Sequence, residues 1–271
     1  MSTFQAIVLG IVQGLTEFLP ISSTGHLRIV PAFAGWEDPG AAFTAVTQLG
    51  TMAAVLLYFR QDLWRIAVAW LRSLRDPEVR RTVDARLGWF IVLGTIPIGI
   101  FGLVFADQIE SGARSLYLIG TTLIVLGLVL LLAERVATRE RGVEDLTPRD
   151  AAVIGLAQAA ALVPGVSRSG ATITAGLFLG LERAAAARYS FLLSVPAVVL
   201  SGVFELRHVT DGDGPGPGAT AIATLLAFVA GYASIAFLIK FLATHSTVVF
   251  VAYRVVLGAV VITLAATGAI S

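Results

Sequence analysis

The sequence predicts an all-α polytopic membrane protein with an inverted-topology repeat, each half a re-entrant helix hairpin followed by three transmembrane helices. Three observations carry this expectation. The chain is too apolar for a water-soluble fold: 56% of its 271 residues are hydrophobic and 14% charged, where soluble domains carry about 25% charged residues. Mean hydropathy is +0.85. Several apolar runs are long enough to cross ~30 Å of hydrocarbon, which takes ~20 helical residues. Two further apolar runs are interrupted halfway, and the two interruptions match each other.

The elements follow in order. Residues 3–31 form the first interrupted run, broken at Pro20-Ile21-Ser22-Ser23-Thr24-Gly25. Three uninterrupted runs come next, at 41–59, 87–106 and 115–133. Residues 151–181 form the second interrupted run, broken at Pro164-Gly165-Val166-Ser167-Arg168-Ser169-Gly170, and uninterrupted runs follow at 184–204, 219–239 and 247–269. Each arm of an interrupted run is too short to cross, so a hairpin that enters and returns to the same side fits better than two spans. Irregular backbone at membrane depth is tolerated only inside protein or beside a wet cavity.

Gly10 pairs with Gly155, Gln13 with Gln158, Ser22 with Ser167, Thr24 with Ser169 and Gly25 with Gly170, all at one sequence offset. The chain therefore reads as an internal duplication, 1–136 and 150–271, within one membrane domain. Three spans per half is odd, so the second half must lie inverted, a plan that places a polar site between the halves. Eight plain spans with kinks are the alternative and would leave the repeats parallel. Arg65, Arg72, Arg75, Arg80, Arg81 and Arg86, with Arg135, Arg139, Arg141 and Arg149, fall on one side, which the positive-inside rule makes cytoplasmic. Both termini and the segment 207–218, with Asp211 and Asp213, then face outward. The start of the chain has no basic stretch or cleavage site and reads as mature structure. The absence of cysteine excludes disulfides and thiol chemistry, and a net charge of +1 gives no field for nucleic acid.

The chemistry is expected at the two breaks. Glu17 is the only acidic residue of 1–34, and Arg168 the only charged residue of 151–181. Ionisable groups at membrane depth are costly and mark functional sites by default. Gln13 lies one helical turn before Glu17, and His26 just past the hydroxyl loop. Ser22, Ser23 and Thr24, and likewise Ser167 and Ser169 around Arg168, sit where a half-helix begins. Free N–H groups and the helix dipole there favour an anion. A carboxylate, an imidazole, a guanidinium and several hydroxyls suit phosphoryl transfer. Blander readings stand beside this one. A hydroxyl loop after proline can be a helix cap, Glu17 can be a structural ion-pair partner, Arg28 can snorkel to the interface, and His208 and His245 read as solvated bystanders.

At these residues the sequence resembles a known family. The run Gln13-Gly14-Leu15-Thr16-Glu17-Phe18-Leu19-Pro20-Ile21-Ser22-Ser23-Thr24-Gly25-His26 is similar to the first signature of the bacterial undecaprenyl-diphosphate phosphatases, the bacitracin-resistance family. Pro164-Gly165-Val166-Ser167-Arg168-Ser169-Gly170-Ala171-Thr172 is similar to the second. The resemblance implies an enzyme that removes the terminal phosphate of undecaprenyl diphosphate and regenerates the lipid carrier for peptidoglycan precursors, with a divalent cation (Mg or Ca) as cofactor. It implies catalytic roles for Glu17, Ser23, His26 and Arg168. Substrate binding would fall to Ser22, Thr24, Gly25, Ser167, Ser169, Gly170 and Thr172, and metal binding to Glu17 and Gln13. Where the family has Glu or Gln, this chain has Gln13, which can ligate only through its carbonyl. Ser23 is the expected nucleophile with His26 or Glu17 as its base, Thr24 and water being the alternatives.

The expected partners are a polyprenyl diphosphate lipid and the bilayer, with a homodimer compatible. The expected location is the bacterial inner (plasma) membrane, the site opening to the outer face. A lipid-phosphate transporter or flippase is the rival reading, because inverted repeats with re-entrant tips are equally a transporter plan.

Overall fold

A computed structural model describes residues 1–105, 115–205 and 216–270 of the protein. It is all-α among those residues, with a single isolated backbone bridge between Arg141 and Leu181. The twelve α-helices among the described residues are α1 (Thr3–Phe18), α2 (Ser23–Ala34), α3 (Gly40–Tyr58), α4 (Arg60–Ser73), α5 (Pro77–Arg80), α6 (Val83–Val104), α7 (Leu116–Val136), α8 (Pro148–Ala160), α9 (Arg168–Phe178), α10 (Arg183–Glu205), α11 (Pro217–Leu242) and α12 (Val248–Ala266). Each uninterrupted run is a continuous helix within a few residues of its expected ends. Among the described residues, α6, α7, α11 and α12 are long and apolar enough to cross a membrane. The expected outward segment with His208, Asp211 and Asp213 lies mostly outside the described residues.

The interrupted runs break where proline and glycine demand it. Ser2 and Gln5 cap the start of α1 reciprocally. α1 ends at Phe18 because the residue before a proline is pushed out of the helical region, and Leu19 is extended (φ −68°, ψ 144°) ahead of Pro20. α8 starts with Pro148 at its first position, capped by Thr147 and Asp150. Burial pushes the Asp150 carboxyl up, but hydrogen bonds from Arg141 and Thr147 outweigh it and hold the group below its ordinary value. The 16- and 12-residue arms α1 and α2 reach about 24 and 18 Å at ~1.5 Å per residue, short of the hydrocarbon thickness.

The segment read from its arginines as a loop holds a helix. α4 places Leu63, Ile66, Trp70 and Ser73 on one face, against α6, where Trp70 fills the space over Gly88 and Ser73 accepts a hydrogen bond from Trp89. Its i, i+3, i+7 apolar spacing marks an amphipathic helix, which the charge count hid. Trp64 and Leu71 stay exposed. Arg28, expected at the interface, pairs with Asp38 at 3.4 Å. His245 is exposed, bonded to Thr244 and stacked on Phe241.

Packing follows small residues. α1 lies on α11, and a Cβ on Gly10 would come within 2.4 Å of the Ala223 carbonyl. α8 lies on α6, and a Cβ on Gly155 would come within 2.5 Å of the Gly94 carbonyl. α3 packs on α10, and α7 on α12. The outside carries large apolar side chains such as Phe4, Leu103, Leu225 and Val256, more than 60% exposed. Gln13, Gln158, Thr172 and Arg254 are fully buried. A polar interior inside an apolar coat suits hydrocarbon as solvent, and the chain is a multi-pass membrane protein.

Candidate active site

The site forms around Glu17, in the last turn of α1 and buried. Gln13, one turn earlier on the same face, donates from Nε2 to Oε2 of Glu17 at 3.0 Å. Ser23, the first residue of α2, donates its hydroxyl to the same oxygen at 2.5 Å. Gln48 of α3 donates to Oε1 at 3.0 Å. Arg168, the first residue of α9, forms an ion pair with Oε1. A carboxylate removed from water costs several kcal/mol unless paired and hydrogen-bonded; here both oxygens are satisfied by four donors from four helices.

The two hydroxyl loops share one geometry. Ser22 and Ser167 both have a left-handed backbone, φ 73° and 72°, a conformation that costs of order 1–3 kcal/mol outside glycine and gathers at functional sites. Each caps the helix that follows: Ser22 Oγ accepts from the Gly25 N–H, and Ser167 Oγ from the Gly170 N–H. Each also contacts the hydroxyl two residues on, Thr24 at 3.3 Å and Ser169 at 3.2 Å. The loops touch directly, since Ser169 donates to the Leu19 carbonyl at 3.0 Å. Two helix N-termini therefore begin beside one carboxylate and one guanidinium.

The expected site residues do not all meet. Glu17, Ser23, Gln13 and Arg168 are in mutual contact through Glu17. His26 is buried elsewhere: Nδ1 meets the Ser22 carbonyl at 2.7 Å and Nε2 the Tyr253 hydroxyl at 2.7 Å. A neutral ring donating to the carbonyl accepts from the tyrosine, and the two rings stack at 5.6 Å. The side chain hydrogen-bonded to Ser23 is Glu17. Thr172 bonds Ser190 at 2.6 Å and its own helix, so its hydroxyl serves the α9–α10 contact. Gly25 and Gly170 have their N–H groups occupied by the capping serines.

Three residues near the site were missed from sequence: Gln48, Tyr253 and Arg254. For Arg254 a signal existed, because it is the only charged residue of the run 247–269. Gln48 offers no such signal; it is one polar residue among threonines in α3.

The chain matches the family model described as bacitracin resistance protein BacA over residues 6–260. The chain belongs to the BacA family. It is similar to the undecaprenyl-diphosphatase of a Nocardioides species, 57% identical over 268 residues and 98% of both chains. It is also similar to undecaprenyl-diphosphatase 2 of Streptomyces coelicolor, 54% identical over all of this chain and 97% of that one. The undecaprenyl-diphosphatase of Mycolicibacterium smegmatis is 55% identical, over 100% and 99% of the two chains.

The donors around Glu17 decide whether the site can hold a divalent cation. Among the described residues no three His, Asp or Glu side chains cluster to hold a metal. The carbonyl oxygen of Gln13 is buried and has no hydrogen-bond partner, while its amide end is committed to Glu17. One carboxylate with one orphaned carbonyl is a thin set of protein ligands. It fits a hard cation that takes its other oxygens from phosphate and water, as Mg often does.

Proposed function

We propose that this BacA-family chain is an undecaprenyl-diphosphate phosphatase. It hydrolyses undecaprenyl diphosphate to undecaprenyl phosphate and inorganic phosphate, and so recycles the lipid carrier for cell-wall synthesis. The observation that carries this reading is the Ser23 hydroxyl hydrogen-bonded to Glu17, itself paired with Arg168, where the two hydroxyl loops meet. Nucleophile, base and phosphate-binding cation are in contact. The names of the relatives support the same substrate.

The chemistry follows from the positions. Arg168 exchanges its carboxylate for the terminal phosphoryl oxygens, which its planar fork can hold in pairs. The N-termini of α2 and α9 receive the remaining negative charge. Glu17, freed of Arg168, takes the Ser23 proton as Oγ attacks the terminal phosphorus. The bond from phosphorus to the bridging oxygen breaks, and undecaprenyl phosphate leaves with the electron pair and takes the proton from Glu17. Water then attacks the phosphoserine and gives a proton to Glu17, which returns it to the departing Ser23 oxygen. His26 holds the start of α2 through Ser22 and positions Ser23. A divalent cation, held by Glu17 and the Gln13 carbonyl, would supply neutralisation of the diphosphate charge.

The halves 1–136 and 150–271 are inverted-topology repeats in this reading. The matched backbone of Ser22 and Ser167 supports it, as do the exchanged helix pairs α1–α11 and α8–α6. The protein lies in the inner membrane with its arginine-rich segments cytoplasmic and its site opening outward.

The test is phosphate release from a C55 diphosphate by protein purified in detergent, where no second compartment exists for a transporter to serve. Release is expected, with loss on strong chelation. A phosphoserine trapped at low pH from labelled substrate, absent in Ser23→Ala, is expected as well. A Ser23→Ala variant with near-normal turnover would transfer the attack to water or Thr24. No release from folded protein would favour the transporter.

A further inference from the structure

Arg254 is the largest fully buried side chain outside Glu17's own contacts, and the chemistry above does not use it. It comes from the middle of α12 and donates to five backbone carbonyls. Nη1 meets Pro20 O at 3.1 Å, in the first loop. Nη2 meets Gly165 O at 3.2 Å and Val166 O at 3.1 Å, in the second loop, and Thr122 O at 3.3 Å on α7. Nε meets Leu123 O at 3.1 Å. All its hydrogen-bond partners among the described residues are carbonyls; none is a carboxylate.

A buried cation without a carboxylate is expensive, so its place calls for a reason. A bare helix contact would be served by an apolar side chain at lower cost. What only a planar, five-donor fork can do is hold three separate backbone segments at once. Two of those segments lie one or two residues ahead of Ser22 and Ser167, the left-handed serines that set where α2 and α9 begin. Hydroxyl loops are otherwise joined by the single Ser169–Leu19 bond and the Arg168–Glu17 pair, and the latter must open when phosphate binds.

We propose that Arg254 is a positioning residue of the phosphatase site, the fixed staple that keeps the two serine loops in register while Arg168 leaves Glu17 for the substrate. This rests on the proposed hydrolase reading. Its uncompensated charge also leaves the site, with Glu17 and Arg168 cancelling, one positive charge ahead when a diphosphate arrives.

The experiment compares wild type, Arg254→Lys and Arg254→Met for kcat and KM on a C55 diphosphate, each normalised to folded protein by thermal unfolding. Arg183→Gln, in the separate Glu134 ion-pair cluster, serves as a control for losing a partly buried arginine. A displacement of about 1 Å in a reacting group can cost about 100-fold. Arg254→Lys is expected to lose about that much kcat per folded molecule with KM changed less than about threefold. Arg254→Met should lose more, and Arg183→Gln should lose stability without kcat. Arg254→Lys within twofold of wild-type kcat, or a loss matched by unfolded protein alone, overturns the proposal. If no Arg254 variant folds, Gly127→Ala decides, since its new methyl would press on Arg254 Cβ at 3.3 Å without touching either loop. A several-fold fall in kcat is expected, and unchanged kcat overturns the staple. Wild-type protein that releases no phosphate would overturn the hydrolase reading instead, so the two failures are distinct.

Discussion

At Glu17 the resting site is electrically closed. Its two oxygens are taken by Gln13, Ser23, Gln48 and Arg168, so in the proposed mechanism a diphosphate competes for Arg168 and in doing so uncovers the base beside Ser23. Binding and activation are then one event. Arg168→Lys keeps the charge and loses the fork. A charge-assisted hydrogen bond contributes about 1.5–3 kcal/mol, so kcat/KM is expected to fall about 10- to 100-fold in a well-folded variant. Steady-state kinetics check this, and near-normal kcat/KM would argue against paired phosphate contacts. At this scale much was legible in sequence: Glu17, Ser23 and Arg168 stood out as rare polar groups at matched breaks. The choice between His26 and Glu17 as the partner of Ser23 was not, because three residues of spacing put His26 near Ser23 along the chain, while the turn of α2 sends its ring to Tyr253. Gln48 comes from a helix about 30 residues away, a separation that no local pattern encodes.

The elements owe their arrangement to backbone-on-backbone contact. Gly155 against Gly94 and Gly10 against Ala223 let α8 reach α6 and α1 reach α11 at distances that exclude any side chain. Gly155→Val would drive its new atoms into the Gly94 backbone, which cannot yield as a side chain can. Overpacking costs about 1–3 kcal/mol, so a lowered Tm is expected, with Gly99→Ala, which meets nothing within 4 Å, as the neutral comparison. Equal Tm values would mean the helices separate without penalty. Hydropathy and the Pro/Gly breaks made the long helices and both hairpin breaks readable. α4 escaped because its arginines masked the Leu63, Ile66, Trp70 face, and which helix meets which was beyond local pattern altogether.

Across the whole molecule, two polar loops from distant parts of the chain meet inside an apolar coat, which is how a bilayer protein can present charge to a lipid head group. The proposed inverted arrangement assigns each loop to one side of the membrane. The chain has no cysteine, so single cysteines report cleanly. Arg81→Cys and Glu140→Cys, both exposed, are expected to label from the cytoplasmic side, and Gly218→Cys from the outer side. Labelling of all three from one side would contradict the three-span repeat.

In the proposed mechanism Glu17 is the base of a phosphatase site built jointly by the two loops. The turnover number of Glu17→Gln on a C55 diphosphate tests it most directly, in protein whose thermal unfolding shows it folded. The amide keeps the shape and can still accept hydrogen bonds, but it cannot take the Ser23 proton. Loss of a general base costs about 100- to 10,000-fold, and kcat is expected to fall within or beyond that range. A Glu17→Gln variant within tenfold of wild-type kcat would rule out Glu17 as the base and leave it a structural partner of Arg168.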